Sequence, residues 1–240
     1  MRSGIRTFMR QPLAMAGLFF LFMMLVSLLS AVPVVGTLAA LALLPAATLG
    51  LMSATHEADS GRFPMPVVLA SAFRAGKDRA LAMLQLGAMY AVGFLAVMGL
   101  TALVDGGEFA QLYLGGEPPD TTTVMGDEFQ AATVLGMVLY LPLSMLFWHA
   151  PALVHWHGVS PVKSLFFSFV ACWRNKSALA FYMVGWLAFF VFAGILVAML
   201  GGLLGGGSWL PTLMYPVVLL VASMFFTSFY YTYRDSFIAD

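Results

Sequence analysis

The chain has 240 residues, 61% hydrophobic and 9% charged, with eleven basic and eleven acidic side chains and no formal net charge. A soluble domain carries about 25% charged residues, and a mean hydropathy of +0.92 leaves too little polar surface to clothe a water-facing shell. These values exclude a soluble globular domain, offer no basic excess for nucleic acid, and place the chain in a lipid bilayer.

The N-terminus is basic at Arg2, Arg6 and Arg10, which share one helical face, with Ile5 and Phe8 on another. The apolar run that follows, Leu13 to Val32, is longer than the ~7–15 residue core of a cleavable signal and predicts a retained first span. Backbone groups in lipid must bond within their own segment, so each apolar run of about 20 residues is read as a helix. The first span is 12–32, and Pro33 to Gly36 make a tight turn into the second, 36–55. Pro45 removes a donor there, and Ala42, Ala46, Gly50 and Ala54 recur every four residues. Small side chains at that spacing predict close helix packing, with a sliding surface as the alternative.

A polar stretch, His56 to Arg79, contains a short helix at 67–76 and leads to span three, 80–104. Residues 105–128 form the one long loop, with six acids and no Lys or Arg. A solvated loop is expected, with one interfacial turn over 108–114 and partner docking as alternatives; its acids lack calcium-loop spacing. Span four is 129–150, with Pro142 inside and Trp148 near its end. Span five is 178–203, where Gly194, Ala198, Gly202 and Gly206 predict packing within the chain ahead of dimerisation. Gly205 to Ser208 break the chain before span six, 210–229, and Tyr230, Tyr231 and Tyr233 read as a headgroup-level belt.

On this trace all eleven basic residues fall on one side. Bases are retained on the cytoplasmic face, so both termini are expected inside and the acidic loop outside, in a bacterial inner membrane. The lone cysteine, Cys172, excludes an internal disulfide framework.

Between spans four and five, 161–176 reads as an amphipathic helix. Val162, Leu165, Phe166, Phe169 and Trp173 fall on one face, and Ser164, Ser168, Ala171 and Asn175 opposite. An apolar face in the acyl boundary and a basic end at the headgroups are expected; the alternative is that 161–176 merely begins span five. Ser, aromatic, basic residues and Ala-Leu-Ala also precede span three, and a similar order precedes span one. The fold predicted is therefore an all-α membrane protein whose six transmembrane helices form three hairpins, each preceded by a cytoplasmic amphipathic elbow helix. It would be a single polytopic domain with pseudo-repeats at about 1–55, 64–150 and 161–230.

Arg10-Gln11-Pro12-Leu13, the run Pro45 to Met52, Ala150-Pro151-Ala152-Leu153-Val154 and Trp173-Arg174-Asn175 resemble a family of uncharacterised proteobacterial six-helix inner-membrane proteins. More distantly, the chain is similar to the hairpin-and-elbow membrane domain associated with glycerophosphodiester phosphodiesterases, without the catalytic domain. The resemblance covers nearly the whole chain and implies architecture, with no chemistry attached.

The six spans hold no Asp, Glu, Lys or Arg in their central parts, which argues against an ion-coupled pump. Gln85 and His149 are the most polar side chains in or near the core. With His155 and His157 they form a weak candidate polar site, since metal ligands prefer one-turn spacing and carboxylate or thiolate help that this segment lacks. No catalytic constellation, metal site or cofactor is expected, and the seventeen methionines read as adaptable packing. The chain is expected to be non-catalytic, an accessory or scaffolding component that holds a membrane-protein partner or a second copy of itself. The alternative is a protein that binds or moves a lipid or small amphiphile. Anionic headgroups or a partner would meet Arg74, Lys77, Arg79, Lys163, Trp173, Arg174 and Lys176.

Overall fold

A computed structural model describes residues 1–32, 35–116, 119–203 and 210–238. The expected turn at Pro33 and Val34, the loop acid Glu117, and the break at Gly205 to Ser208 lie outside them. The regular structure among the described residues is helical: α1 (Arg2–Arg10), α2 (Pro12–Ser30), α3 (Val35–Asp59), a 3-10 turn (Pro66–Ala70), α4 (Ser71–Arg74) and α5 (Lys77–Asp105). There follow α6 (Glu108–Leu114), α7 (Thr121–Val124), α8 (Asp127–Phe147), α9 (Ala150–His157), α10 (Pro161–Arg174), α11 (Lys176–Leu203) and α12 (Leu210–Phe237). Six stretches among the described residues are long and apolar enough to cross a membrane: α2, α3, α5, the α8–α9 stretch, α11 and α12 from Met214.

The helices form two compact units built from non-consecutive segments. One comprises Met24–Leu49 and Ala72–Trp173, and α5 is its axis. Met83, Leu86, Tyr90, Phe94, Val97, Thr101 and Asp105 are buried along α5, recurring every three or four residues as one helical face requires. They pack against α6, α8 and α9. Gly87 sits against the backbone of α3, where a Cβ would overlap the Ala42 carbonyl oxygen, so the small residue at 42 serves close packing as its spacing predicts.

The fourth span differs from its expected form, because it is broken. Helix α8 ends at Phe147 and α9 restarts at Ala150, with Pro151 in its first turn. Proline has no N–H to continue the ladder, and two groups beside the break are taken up from α10. Ser168 Oγ accepts from the His149 N–H at 2.9 Å and donates to the Met145 carbonyl at 2.8 Å. Ser164, Ser168 and Cys172 are therefore the buried face of α10, while Val162, Phe166 and Trp173 are exposed. The serine face, opposite the apolar one, is the packed one: small side chains admit the neighbouring backbone and a hydroxyl bridges it. Burial pushes the Cys172 thiol up to about 12.

The 105–128 segment is not wholly a solvated loop. Gly106 and Gly107 take left-handed backbone (φ 70° and 101°), which turns the chain back on itself. The Asp105 carboxylate accepts from Gly107 N–H at 2.9 Å and Phe109 N–H at 2.6 Å, satisfying donors at the start of α6. Helix α6 then buries Phe109 and Ala110. Farther on, Asp120 caps α7 by accepting from Thr123 N–H at 2.7 Å, a bond that holds its carboxyl below the usual carboxylate range.

The other unit comprises Met1–Met23, Gly50–Ser71 and Arg174–Asp240. Helix α1 lies on α12, with Gly4 so close to Ser228 that a Cβ would stand 2.6 Å from the serine Cα. The three arginines of α1 are exposed, and Gly4, Thr7 and Phe8 are buried. Phe225, Phe226 and Phe229 of α12 pack with Phe19, Phe22 and Trp186. Helix α12 runs on past the expected end of the span, and Tyr230, Tyr231 and Tyr233 are 5%, 3% and 1% exposed. They are packed into the core, where Thr7 of α1 pairs with the Tyr231 hydroxyl and His56 at the end of α3 with that of Tyr230. On α11, Ala198 and Gly202 are exposed and Gly202 has no described atom within 4 Å of its Cβ position. The small-residue face expected to pack within the chain does not do so at these two positions, and Gly206 lies outside the described residues.

Candidate functional site

Arg74, Lys77, Arg79, Lys163, Trp173, Arg174 and Lys176 are all exposed. One of them meets a member of the histidine group: Arg79 Nη1 donates to the His155 carbonyl at 2.7 Å, tying the start of α5 to α9. The histidines do not converge: His149 is buried at the helix break, His155 is half-buried and His157 is exposed. Gln85 lies on the exposed face of α5, so it lines no interior site. Among the described residues no three His, Cys, Asp or Glu side chains gather as a metal ion requires.

Two polar arrangements were not singled out by sequence. The first lies around Asp59 at the end of α3. Its carboxylate accepts from Thr7 Oγ1 at 3.4 Å and stands 3.9 Å from Arg10 and 3.7 Å from Arg234. Thr7 also hydrogen-bonds Tyr231, the Arg234 guanidinium lies over the Tyr231 ring, and His56 Nδ1 pairs with the Tyr230 hydroxyl at 2.8 Å. These bonds tie α1, α3 and α12 together by polar groups. With Asp59 one-third exposed and already matched to two cations, the arrangement is a fastening rather than an open anion site.

The second is a cavity of about 420 Å³ inside the unit built on α5, within the size range of small-molecule sites. Val26 and Ser30 of α2, Thr37, Leu41 and Leu44 of α3, Tyr90, Phe94 and Met98 of α5, and Gly136, Met137 and Tyr140 of α8 line it. Phe109 and Tyr113 of α6 complete the wall, placed there by the Asp105 cap. Gly136 makes room for that helix: a Cβ would come within 2.8 Å of the Phe109 ring. Aromatic rings meet around the space, with Phe94 edge-on to Tyr113 and Tyr140 at 6.2 and 6.3 Å. Among the described residues no Asp, Glu, Lys, Arg or His lines it. Its polar groups are hydroxyls, foremost Tyr90 and Tyr140, which hydrogen-bond each other at 3.2 Å.

Among the described residues this arrangement has no nucleophile–base pair and no charge to stabilise a reacting group. It can enclose an apolar chain and offer a hydrogen bond part-way along it. The signal for it was present in the sequence as one tyrosine in each of two adjacent apolar helices, α5 and α8.

No family model matches the chain, and no solved structure matches it. A probable inner membrane protein of Burkholderia thailandensis is 37% identical over 239 residues, covering 98% of this chain and 88% of that protein. Nothing in these comparisons supports the likeness to the phosphodiesterase-associated membrane domain.

Proposed function

The chain belongs to the family of that Burkholderia thailandensis protein, and from this premise we propose that it is an inner-membrane protein that binds a lipid or small amphiphile. The cavity of about 420 Å³ walled by α2, α3, α5, α6 and α8 carries the reading. A half-open aromatic space, lined among the described residues by no charged side chain, holds an apolar chain that would otherwise lie in lipid. The exposed bases Arg74, Lys77, Arg79, Lys163, Arg174 and Lys176 would attract anionic headgroups on the cytoplasmic face. Helices α1, α4 and α10 each precede a long apolar helix (α2, α5 and α11), which supports three serial units of elbow and hairpin. Reporter fusions after Gly116 are expected to report outside and fusions after Gly158 or Asp240 inside; one reversal breaks the topology.

The test of function is lipid analysis of protein purified in mild detergent. Gly136→Leu drives a side chain against the Phe109 ring and so crowds the cavity wall, whereas Gly99→Leu on α5 meets no described atom within 4 Å of its Cβ position. Loss of a co-purifying species from the first variant alone is the expected result. Equal retention by both refutes the reading.

A second reading, a scaffold that pairs with another copy of itself, is favoured by the exposed Ala198 and Gly202 on α11, small side chains open to a second helix. Cysteines placed at both positions should cross-link copies in native membranes, and failure of both sets this reading aside.

A further inference from the structure

Resting on the cavity reading above, we propose that the occupant is a neutral amphiphile whose head carries a carbonyl or hydroxyl oxygen, and that the Tyr90–Tyr140 pair recognises that oxygen. Tyr90 stands midway along α5 (Lys77–Asp105), about 20 Å from its start at about 1.5 Å per residue. Tyr140 stands near the middle of the stretch Asp127–His157. A head held between them therefore sits deep in the hydrocarbon region.

Charge at that depth is strongly disfavoured without a partner, and no charged side chain among the described residues lines the cavity to provide one. A phosphate or free carboxylate head is excluded on both counts. The hydroxyl pair defines what is admitted. Two phenols carry two protons and one lies in the 3.2 Å bond between them, so the accepting phenol keeps its own proton to give away. An acceptor oxygen on the ligand completes this chain of hydrogen bonds, where a bare alkane leaves it unfinished. Tyr90 is 8% exposed and Tyr140 40% exposed, so one member of the pair is packed in the core and the other stands towards the surface. The ring of Phe94 lies beside both tyrosines, at 6.3 Å from each, and limits where the head rests.

The test uses three photoactivatable hexadecyl diazirine probes that differ only in the head: an alkane, a methyl ketone and a carboxylate at pH 9. Protein in nanodiscs is irradiated with each, and saturable labelling is mapped by mass spectrometry to peptides of α5, α6 and α8. The ketone is expected to label these peptides about tenfold more than the alkane, equivalent to one net hydrogen bond, and more still than the carboxylate. Tyr90→Phe with Tyr140→Phe, which keeps both rings, should bring ketone labelling down to the alkane level and leave the alkane unchanged. Equal labelling by ketone and alkane in the native protein, or preferred labelling by the carboxylate, overturns the head-group inference while the cavity reading stands. Absence of saturable cavity labelling by all three overturns both.

Discussion

Replacing Gly87 by alanine tests the helix contact that shapes the wall of the cavity. A Cβ at this position overlaps the Ala42 carbonyl oxygen and lies 2.9 Å from its carbonyl carbon and 3.4 Å from its Cα. The obstructing atoms are backbone, so no side-chain rotation relieves them, and α3 must move off α5 by about 1 Å. A gap of that size forfeits roughly a quarter to a half of each dispersion contact across the interface, and overpacking in a well-filled core costs about 1–3 kcal/mol. Taking the upper end, because rigid main chain is displaced, and subtracting about 1 kcal/mol for the better helix propensity of alanine leaves a net loss of about 2 kcal/mol. Gly99→Ala on the same helix meets no atom within 4 Å and should gain about 1 kcal/mol by propensity alone. The pair is compared by reversible unfolding in mixed micelles of rising SDS fraction, followed by tryptophan fluorescence. A separation of about 3 kcal/mol between the variants is expected; indistinguishable midpoints would refute the backbone contact between α3 and α5.

Three further outcomes follow from the same geometry. Ser168→Ala removes both bonds that span the break between α8 and α9 and should cost about 1–3 kcal/mol in the same assay, with Ser160→Ala, at an exposed position, near zero. Because burial raises the Cys172 thiol to about 12, and thiolate forms only as pH rises towards that value, about one molecule in ten thousand is thiolate at pH 8. Maleimide should therefore leave folded protein unlabelled at pH 8 and label it after SDS denaturation; rapid labelling of the folded state would contradict the burial. Asp59→Asn removes a charge shared by Arg10 and Arg234 at 3.9 and 3.7 Å, a partly exposed set to which about 1 kcal/mol or less is assigned. The difference from the native protein should shrink in 1 M salt, where the screening length is about 3 Å, and a salt-independent deficit would mean that the charge is not what Asp59 contributes.

The six apolar runs were legible because hydrocarbon allows few backbone solutions, and the observed helices differ from the expected spans mainly at their ends. What escaped was set by distant partners. Asp59 lay unremarked in the polar stretch after span two, yet it meets Thr7 from α1 and Arg234 from α12. The tyrosines at 230, 231 and 233 carry the composition of a membrane-surface belt, and their burial against α1 and the end of α3 is a relation between distant segments. The 108–114 turn was visible in outline, whereas the Asp105 cap and the room left by Gly136 are relations between segments that periodicity does not encode.

The interior polar groups also show what a count of ionisable residues passes over. Residues 149–157 gather three histidines, but Pro151 breaks the helix there and Ser168 binds the backbone on both sides of the break. That polarity is spent on a joint. Tyr90 and Tyr140 carry no charge and vanish into an apolar count, yet they share one hydrogen bond where two protons are present, beside a space large enough for a guest. In a lipid-embedded fold, what separates a structural polar group from a binding one is whether its hydrogen-bonding capacity is consumed by the chain itself. By that criterion the tyrosine pair, and not the histidine segment, is where recognition should be sought.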